Sequence, residues 1–234
     1  MCFDVDLVLQ SRLRACYDLI KDANPDAVRV IDVGSDHGLL SVCCLKTGVC
    51  ENVICTDIHK APADRTRQTL LDYNLDGRFE VYCVDGLCGV LLNPGDVVVI
   101  AGMGGNTIVD IISEVVSRTS ENVLCSTDFV LQPQKSIERV REDLSKLGFA
   151  IVEERVVVGR DIHYSLLHLK YSPLSKSITL EEKYLGPILI TKMRDGNNEV
   201  INYFRHLRSI FEVRARGNEE IRQLLDSNIW EEIK

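Results

Sequence analysis

Seven short runs rich in β-branched residues lie between residues 28 and 171 of this 234-residue chain, and their spacing constrains the fold more than any other feature. They cover 28–34, 52–58, 79–86, 96–102, 129–133, 149–158 and 163–171. Helix-like segments separate the earlier runs, which is the pattern of a parallel sheet wound with crossover helices. Between the last two stands only Gly159-Arg160-Asp161-Ile162. A parallel crossover needs about a dozen residues, so these two strands must be antiparallel neighbours. The expected fold is a doubly wound α/β sheet of seven strands, mostly parallel and ending in an antiparallel strand. An amphipathic helix over 7–21 should lead into it.

After Pro173 the pattern changes. Residues 180–185 read as a helix that Gly186-Pro187 must break. Over 199–216, Val200, Tyr203, Phe204, Leu207, Ile210 and Phe211 recur at three- and four-residue spacing, one apolar stripe of a helix. Gly217 fits a C-cap, and Asn218 can cap a second helix with the stripe Ile221, Leu224, Leu225, Ile229 and Ile233. The chain thus divides into a sheet domain, 1–172, and a C-terminal antiparallel helical hairpin, 173–234.

The formal charge is −8, from 27 basic and 35 acidic side chains. That balance argues against a general nucleic-acid coat or a membrane-surface binder. The two parts differ, however. Residues 1–172 carry 17 basic and 25 acidic side chains, and residues 173–234 carry 10 of each. No apolar stretch reaches the length of a bilayer span, and the N-terminus does not read as a secretory signal, so the expected location is the cytoplasm. Nine cysteines without a C-x-x-C pair read as reduced, mostly buried thiols, and no metal is expected.

Chemistry concentrates at the strand ends. Asp32-Val33-Gly34-Ser35-Asp36-His37-Gly38 follows the first run and opens a helix, with Gly34 and Gly38 placed for a tight turn. Asp57 ends the second run, where an acid can bind ribose hydroxyls, and Asp85-Gly86 ends the third. Acids at three successive strand ends face the crevice where such sheets bind ligands. A dinucleotide fingerprint is absent, and an aspartate in the turn would repel a pyrophosphate. The pattern suits S-adenosylmethionine, which is cationic and free of phosphate. Tyr17-x-x-x-Lys21 imitates a dehydrogenase pair but precedes the nucleotide loop. The fourth run ends in Gly102-Met103-Gly104-Gly105, a glycine-rich wall or simply a tight turn, and the fifth in Gln132-Pro133-Gln134, where an amide can read a base edge or cap a helix.

In this order DVGSDHG, IAGMGG, LQP, the GFAIVEE strand and the late YLGP segment resemble the bacterial tRNA adenine-22 N1-methyltransferase family over nearly the whole chain. The resemblance implies a Rossmann-like class I methyltransferase sheet, S-adenosylmethionine as donor, tRNA as substrate, and a coiled-coil-like C-terminal element that holds the RNA. It further implies that Asp32, Gly34 and Gly38 shape the methionine end of the site, and that Asp57 and Ile58 meet the ribose and adenine. Asp85 and Gly86 would meet the adenine too, and Gly102, Met103, Gly104 and Gly105 would form the wall towards the target. The family pattern is varied at Gln134 (Asn in the family), Ile162 (Lys), Ser165 (Glu) and Gln10 (Ser).

Adenine N1 carries an in-plane lone pair and needs no deprotonation, so positioning should supply most of the catalysis. The product base is cationic, and Asp36 is the expected stabilising carboxylate, with His37 beside it. Arg205, Arg208 and Arg216 are the expected phosphate contacts, on a helical face that otherwise reads as ordinary solvated surface. A small-molecule methyltransferase, a cofactor-binding paralogue without catalysis and a nicotinamide oxidoreductase remain alternatives.

Overall fold

The computed structural model describes residues 4–6, 8–159, 162–174 and 177–233. Leu7, at the start of the expected first helix, and Arg160 and Asp161, in the expected hairpin, lie outside the described residues. In chain order the sheet part comprises α1 (Ser11–Ala23), β1 (Arg29–Val33), α2 (Leu39–Thr47), β2 (Asn52–Asp57), α3 (Lys60–Asp72), β3 (Phe79–Cys83), β4 (Val97–Gly104), α4 (Gly105–Arg118), α5 (Glu121–Cys125), β5 (Asp128–Lys135), α6 (Ile137–Lys146), β6 (Phe149–Gly159) and β7 (Ile162–Tyr171). Strand order among the described residues is β3-β2-β1-β4-β5-β7-β6. Neighbours run parallel except β7, which is antiparallel to both β5 and β6. The expected doubly wound, mostly parallel sheet of seven strands is what forms.

Both faces are buried, and period-two alternation sorts the strand residues between them. Val30, Val53, Cys55, Val97 and Val99 pack with α1, α2 and α3 on one face. Ile31, Val33, Ile54, Val98, Ile100, Phe129 and Leu131 pack with α4 and α6 on the other. Of the eight cysteines among the described residues, Cys16, Cys43, Cys44, Cys50 and Cys55 are buried. Burial pushes the thiols of Cys16, Cys43 and Cys50 up to about 12, which makes them inert apolar filling.

The C-terminal part is more folded-up than a plain hairpin. It comprises α7 (Leu180–Leu185), α8 (Pro187–Arg194), α9 (Asn198–Arg214) and α10 (Glu219–Leu225), with 3₁₀ turns at Ala215–Gly217 and Asn228–Glu231. Gly186 breaks the chain as expected, but Pro187 then starts α8, which the sequence reading lacked. Proline suits the first helical position, where its missing N–H has no partner to lose. Helix α9 stops at Arg214, so Gly217 closes a 3₁₀ turn instead of capping the helix. Asn218 does cap α10, accepting from the Ile221 N–H at 3.2 Å. A third core forms here from Tyr184, Leu189, Met193, Phe204, Phe211, Ile221 and Trp230, joined to the sheet through Val156 of β6.

Candidate active site

The carboxyl ends of the parallel strands gather the acidic residues. Asp32 sits one residue before the end of β1, 5% exposed, on the α2 side of the sheet. Its Oδ2 accepts from the Ser41 hydroxyl at 2.8 Å. Burial pushes this carboxyl up to about 6, partly opposed by that hydrogen bond. The turn above it is anchored to β2, because the N–H groups of Gly34 and Ser35 both donate to the Thr56 carbonyl. At Gly38 φ is +68°, and an added Cβ would lie 3.4 Å from the backbone of Thr66, so the turn into α2 requires glycine. Thr66 also bonds the turn from α3: its hydroxyl lies 3.0 Å from Ser35 Oγ and 3.2 Å from the Asp36 carbonyl.

Asp36 and His37 stand out on this turn, 59% and 61% exposed, and neither caps α2. Arg65 of α3 donates to Asp36 Oδ1 at 2.8 Å, and His37 Nε2 lies 3.7 Å from Oδ2. At the end of β2, Asp57 accepts from the His59 N–H at 3.0 Å, and its carbonyl takes the Val84 N–H, which ties the tip of β3 to that of β2. Ile58 is 55% exposed beside it. Asp85 is also exposed. Gly86 is not: it is buried, and an added Cβ would strike Ile111 of α4 at 2.7 Å, so it serves packing and not ligand contact.

The glycine-rich end of β4 is held by a bulge. Ala101 pairs with Gln132 and Met103 with Pro133, which leaves Gly102, at φ +82°, as the extra residue. Its N–H donates to Gln132 Oε1 at 3.1 Å, and Arg12 Nη1 donates to the same oxygen at 2.9 Å. Gln132 is fully buried, and its Nε2 donates to the Pro133 carbonyl at 2.9 Å. Its amide is therefore occupied in shaping the wall and cannot read a base edge; of the three residues expected there, only Gln134 is exposed, Pro133 being buried. Met103 reaches back over β1, its Cε 2.3 Å from where a Gly34 Cβ would be. Gly104 faces open space. Gly105 is buried, 2.6 Å at its missing Cβ from the Ser136 carbonyl, so it lets α4 approach β5 and presents nothing to a substrate.

Beside this wall a cavity of about 610 Å³ opens between Arg12, Leu39 and Tyr164. Ser41, Arg65, Thr66 and Arg12 also belong to this site, and nothing in their local sequence marks them, since each acts on a residue of another element. Tyr17, half of the apparent dehydrogenase pair, is buried with its hydroxyl on Thr47 at 3.0 Å, remote from these strand ends. Arg205 and Arg208 are exposed on α9, but Arg208 lies over the Trp230 ring at 5.8 Å and 3.4 Å from Glu212. Arg216 falls in the 3₁₀ turn, off the helical face that was expected to carry it. Among the described residues no group of three or more His, Cys, Asp or Glu is placed to hold a metal, and no helix is long and apolar enough to cross a membrane.

The family model described as a methyltransferase domain matches residues 9–167. This chain belongs to that methyltransferase family. It is 30% identical over 182 residues to a putative tRNA methyltransferase of Mycoplasma genitalium, covering 78% of this chain and 79% of that protein. It is 24% identical over 152 residues to the tRNA (adenine(22)-N(1))-methyltransferase of Bacillus subtilis, covering 65% and 60%. A Streptococcus pneumoniae putative tRNA (m1A22) methyltransferase, solved with S-adenosyl-L-methionine, superposes with a TM-score of 0.80 at 20% identity over 97% of this methyltransferase and all of that chain.

Proposed function

We infer that this methyltransferase transfers the methyl group of S-adenosylmethionine to N1 of adenine 22 in tRNA. The observation that carries the cofactor half is Asp32, a carboxyl buried beneath a glycine turn with its proton affinity raised. Such a group favours a cationic ligand and disfavours a phosphate. Asp57 and Asp85 extend the acidic edge, and Arg65, which reaches the turn from α3, is paired with Asp36. The acceptor half is supported by the similarity to the Mycoplasma and Bacillus proteins, and the reading places the protein in the cytoplasm.

S-adenosylmethionine supplies an electrophilic methyl group when bound. Asp32 and the turn from Gly34 to Gly38 then hold its methionine end, Asp57 its ribose hydroxyls, and Ile58 with Asp85 its adenine. The wall at Gly102 to Gly104, stiffened by Gln132 and Arg12, faces the acceptor, and the cavity beside Leu39 receives an extruded base. Asp36, held by Arg65, stabilises the positive charge that develops on the acceptor ring, with His37 at its side. Residues 1–172 carry this chemistry, and 173–234 grip the RNA through Arg205 and Arg208.

Incubation of an unmodified tRNA transcript with S-adenosylmethionine should give one methylated adenine, mapped to position 22 by mass spectrometry. Methylation elsewhere, or none, overturns the reading. Asp36→Ala should abolish turnover while calorimetry finds cofactor affinity nearly unchanged. Equal activity in that variant removes Asp36 from the mechanism.

A further inference from the structure

Successive residues of β7 face opposite sides of the sheet. At the ligand edge Tyr164 lines the cavity beside Leu39, whereas His163 lines a second cleft of about 210 Å³ on the other face. That cleft lies between the start of α6 and the apolar stripe of α9, with Leu207 and Phe211 as its floor. Polar groups converge on it from four elements: the exposed amide of Gln134 from β5, the carboxylate of Glu138 from α6, and the hydroxyls of Ser165 from β7 and Tyr203 from α9, which bond each other at 2.9 Å. The Nδ1 of His163 is buried without a hydrogen-bond partner. Two cations stand at the rim. Arg214 is 3.4 Å from Glu138, and Lys135 makes no ion pair among the described residues.

The cleft begins where the acceptor wall ends, since Lys135 pairs with Gly104 and the Lys135 and Ser136 carbonyls abut Gly105. An apolar floor ringed by a carboxylate, an amide, an imidazole and hydroxyls can bond the donors and acceptors on the edge of a heterocycle, and cations at its mouth suit a phosphate. We propose that this cleft binds a second, unstacked nucleobase of the same RNA, from a nucleotide flanking the target, so that the strand straddles the tips of β5 and β7. The proposal rests on the tRNA-methyltransferase reading.

The test uses the full chain, an unmodified tRNA transcript, and a set of transcripts with an abasic nucleotide at either side of adenine 22. Wild-type protein should lose about tenfold in affinity for one of the abasic transcripts, the equivalent of one or two hydrogen bonds. Gln134→Ala and the cleft-filling Leu207→Trp should weaken binding of intact tRNA by a similar factor and no longer distinguish it from that abasic transcript. Their affinity for S-adenosylmethionine, measured by calorimetry, should match wild type, which also reports that they fold. Intact tRNA binding in both variants, or equal sensitivity to the abasic site in variant and wild type, overturns the cleft. Absence of methyl transfer to tRNA by the wild-type protein would instead overturn the reading beneath it.

Discussion

Arg141 of α6 and Glu154 of β6 form an ion pair at 2.8 Å that is almost wholly buried, and each also terminates a helix of the C-terminal part. Arg141 donates to the carbonyls of Lys183 and Tyr184 at the end of α7. Glu154 accepts the N–H groups of Ile188 and Leu189 at the start of α8. The cation thus meets the negative end of one helix and the carboxylate the positive end of the next. Gly186 lies between them, where an added Cβ would fall 2.4 Å from Glu154 Oε2.

Arg141→Leu should therefore destabilise the protein by about 3–5 kcal/mol, because it strands a buried carboxylate. Glu154→Leu should cost a similar amount. The double variant should recover part of the sum, since neither charge is then left alone. Denaturant unfolding of the four proteins closes this cycle; additive losses would show that the two residues act independently.

At Asp32, stability and the proposed cofactor binding should pull in opposite directions. Its folded-state carboxyl is raised from 3.8 to about 6, so the folded chain holds the proton more tightly than the unfolded chain does. The stabilisation this confers is fully present below about pH 4 and is lost as pH rises through 6. Asp32→Asn should accordingly be more stable than wild type at pH 7.5, by roughly 2–3 kcal/mol at most, and the gap should close towards pH 4. The same variant should bind S-adenosylmethionine at least tenfold more weakly, on the scale of a lost charge-assisted hydrogen bond of about 1.5–3 kcal/mol. Thermal melts across pH and calorimetry read the two effects separately.

Gln132 anchors the glycine-rich end of β4, the proposed acceptor wall. Gln132→Ala leaves the Gly102 N–H without its acceptor in a part-buried bulge and removes the partner of Arg12. A loss of about 1–3 kcal/mol in stability is expected, together with a fall in turnover larger than any change in cofactor affinity. Gln132→Glu retains the acceptor oxygen and should restore part of the turnover. A variant with wild-type turnover would mean that the wall keeps its shape without the amide.

The sheet was legible because its strands are buried on both faces and read as continuous β-branched runs, and because four residues cannot cross over between 158 and 163. The acids at the strand ends followed from the same pattern. What escaped are features made by tertiary contacts. Gln132 carries an amide in any reading, but only the bulge shows that a backbone N–H needs it. Pro187 reads as a stop, and its fitness to start α8 depends on Glu154 waiting at that helix end. Arg141 lies in a charged run, IERVREDLSK, where nothing marks it as the buried member. Arg216 follows the helical spacing, yet the chain tightens into a 3₁₀ turn before reaching it.

The proposed RNA grip is tested first at Arg205, which donates to Asn202 Oδ1 at 3.1 Å within its own helix, because Arg208 lies over the Trp230 ring and reversing its charge would disturb packing. Arg205→Glu should weaken tRNA binding with little dependence on sequence and should leave cofactor affinity unchanged. If the guanidinium neutralises one phosphate, the slope of log affinity against log salt should fall by about 0.7–0.9 relative to wild type. Unchanged affinity at low salt would assign α9 a packing role alone, with the RNA held elsewhere on the protein. Arg208→Gln, which retains a flat polar group over Trp230, separates the two effects: a reduced salt slope with an unaltered melting temperature is the expected result for a phosphate contact.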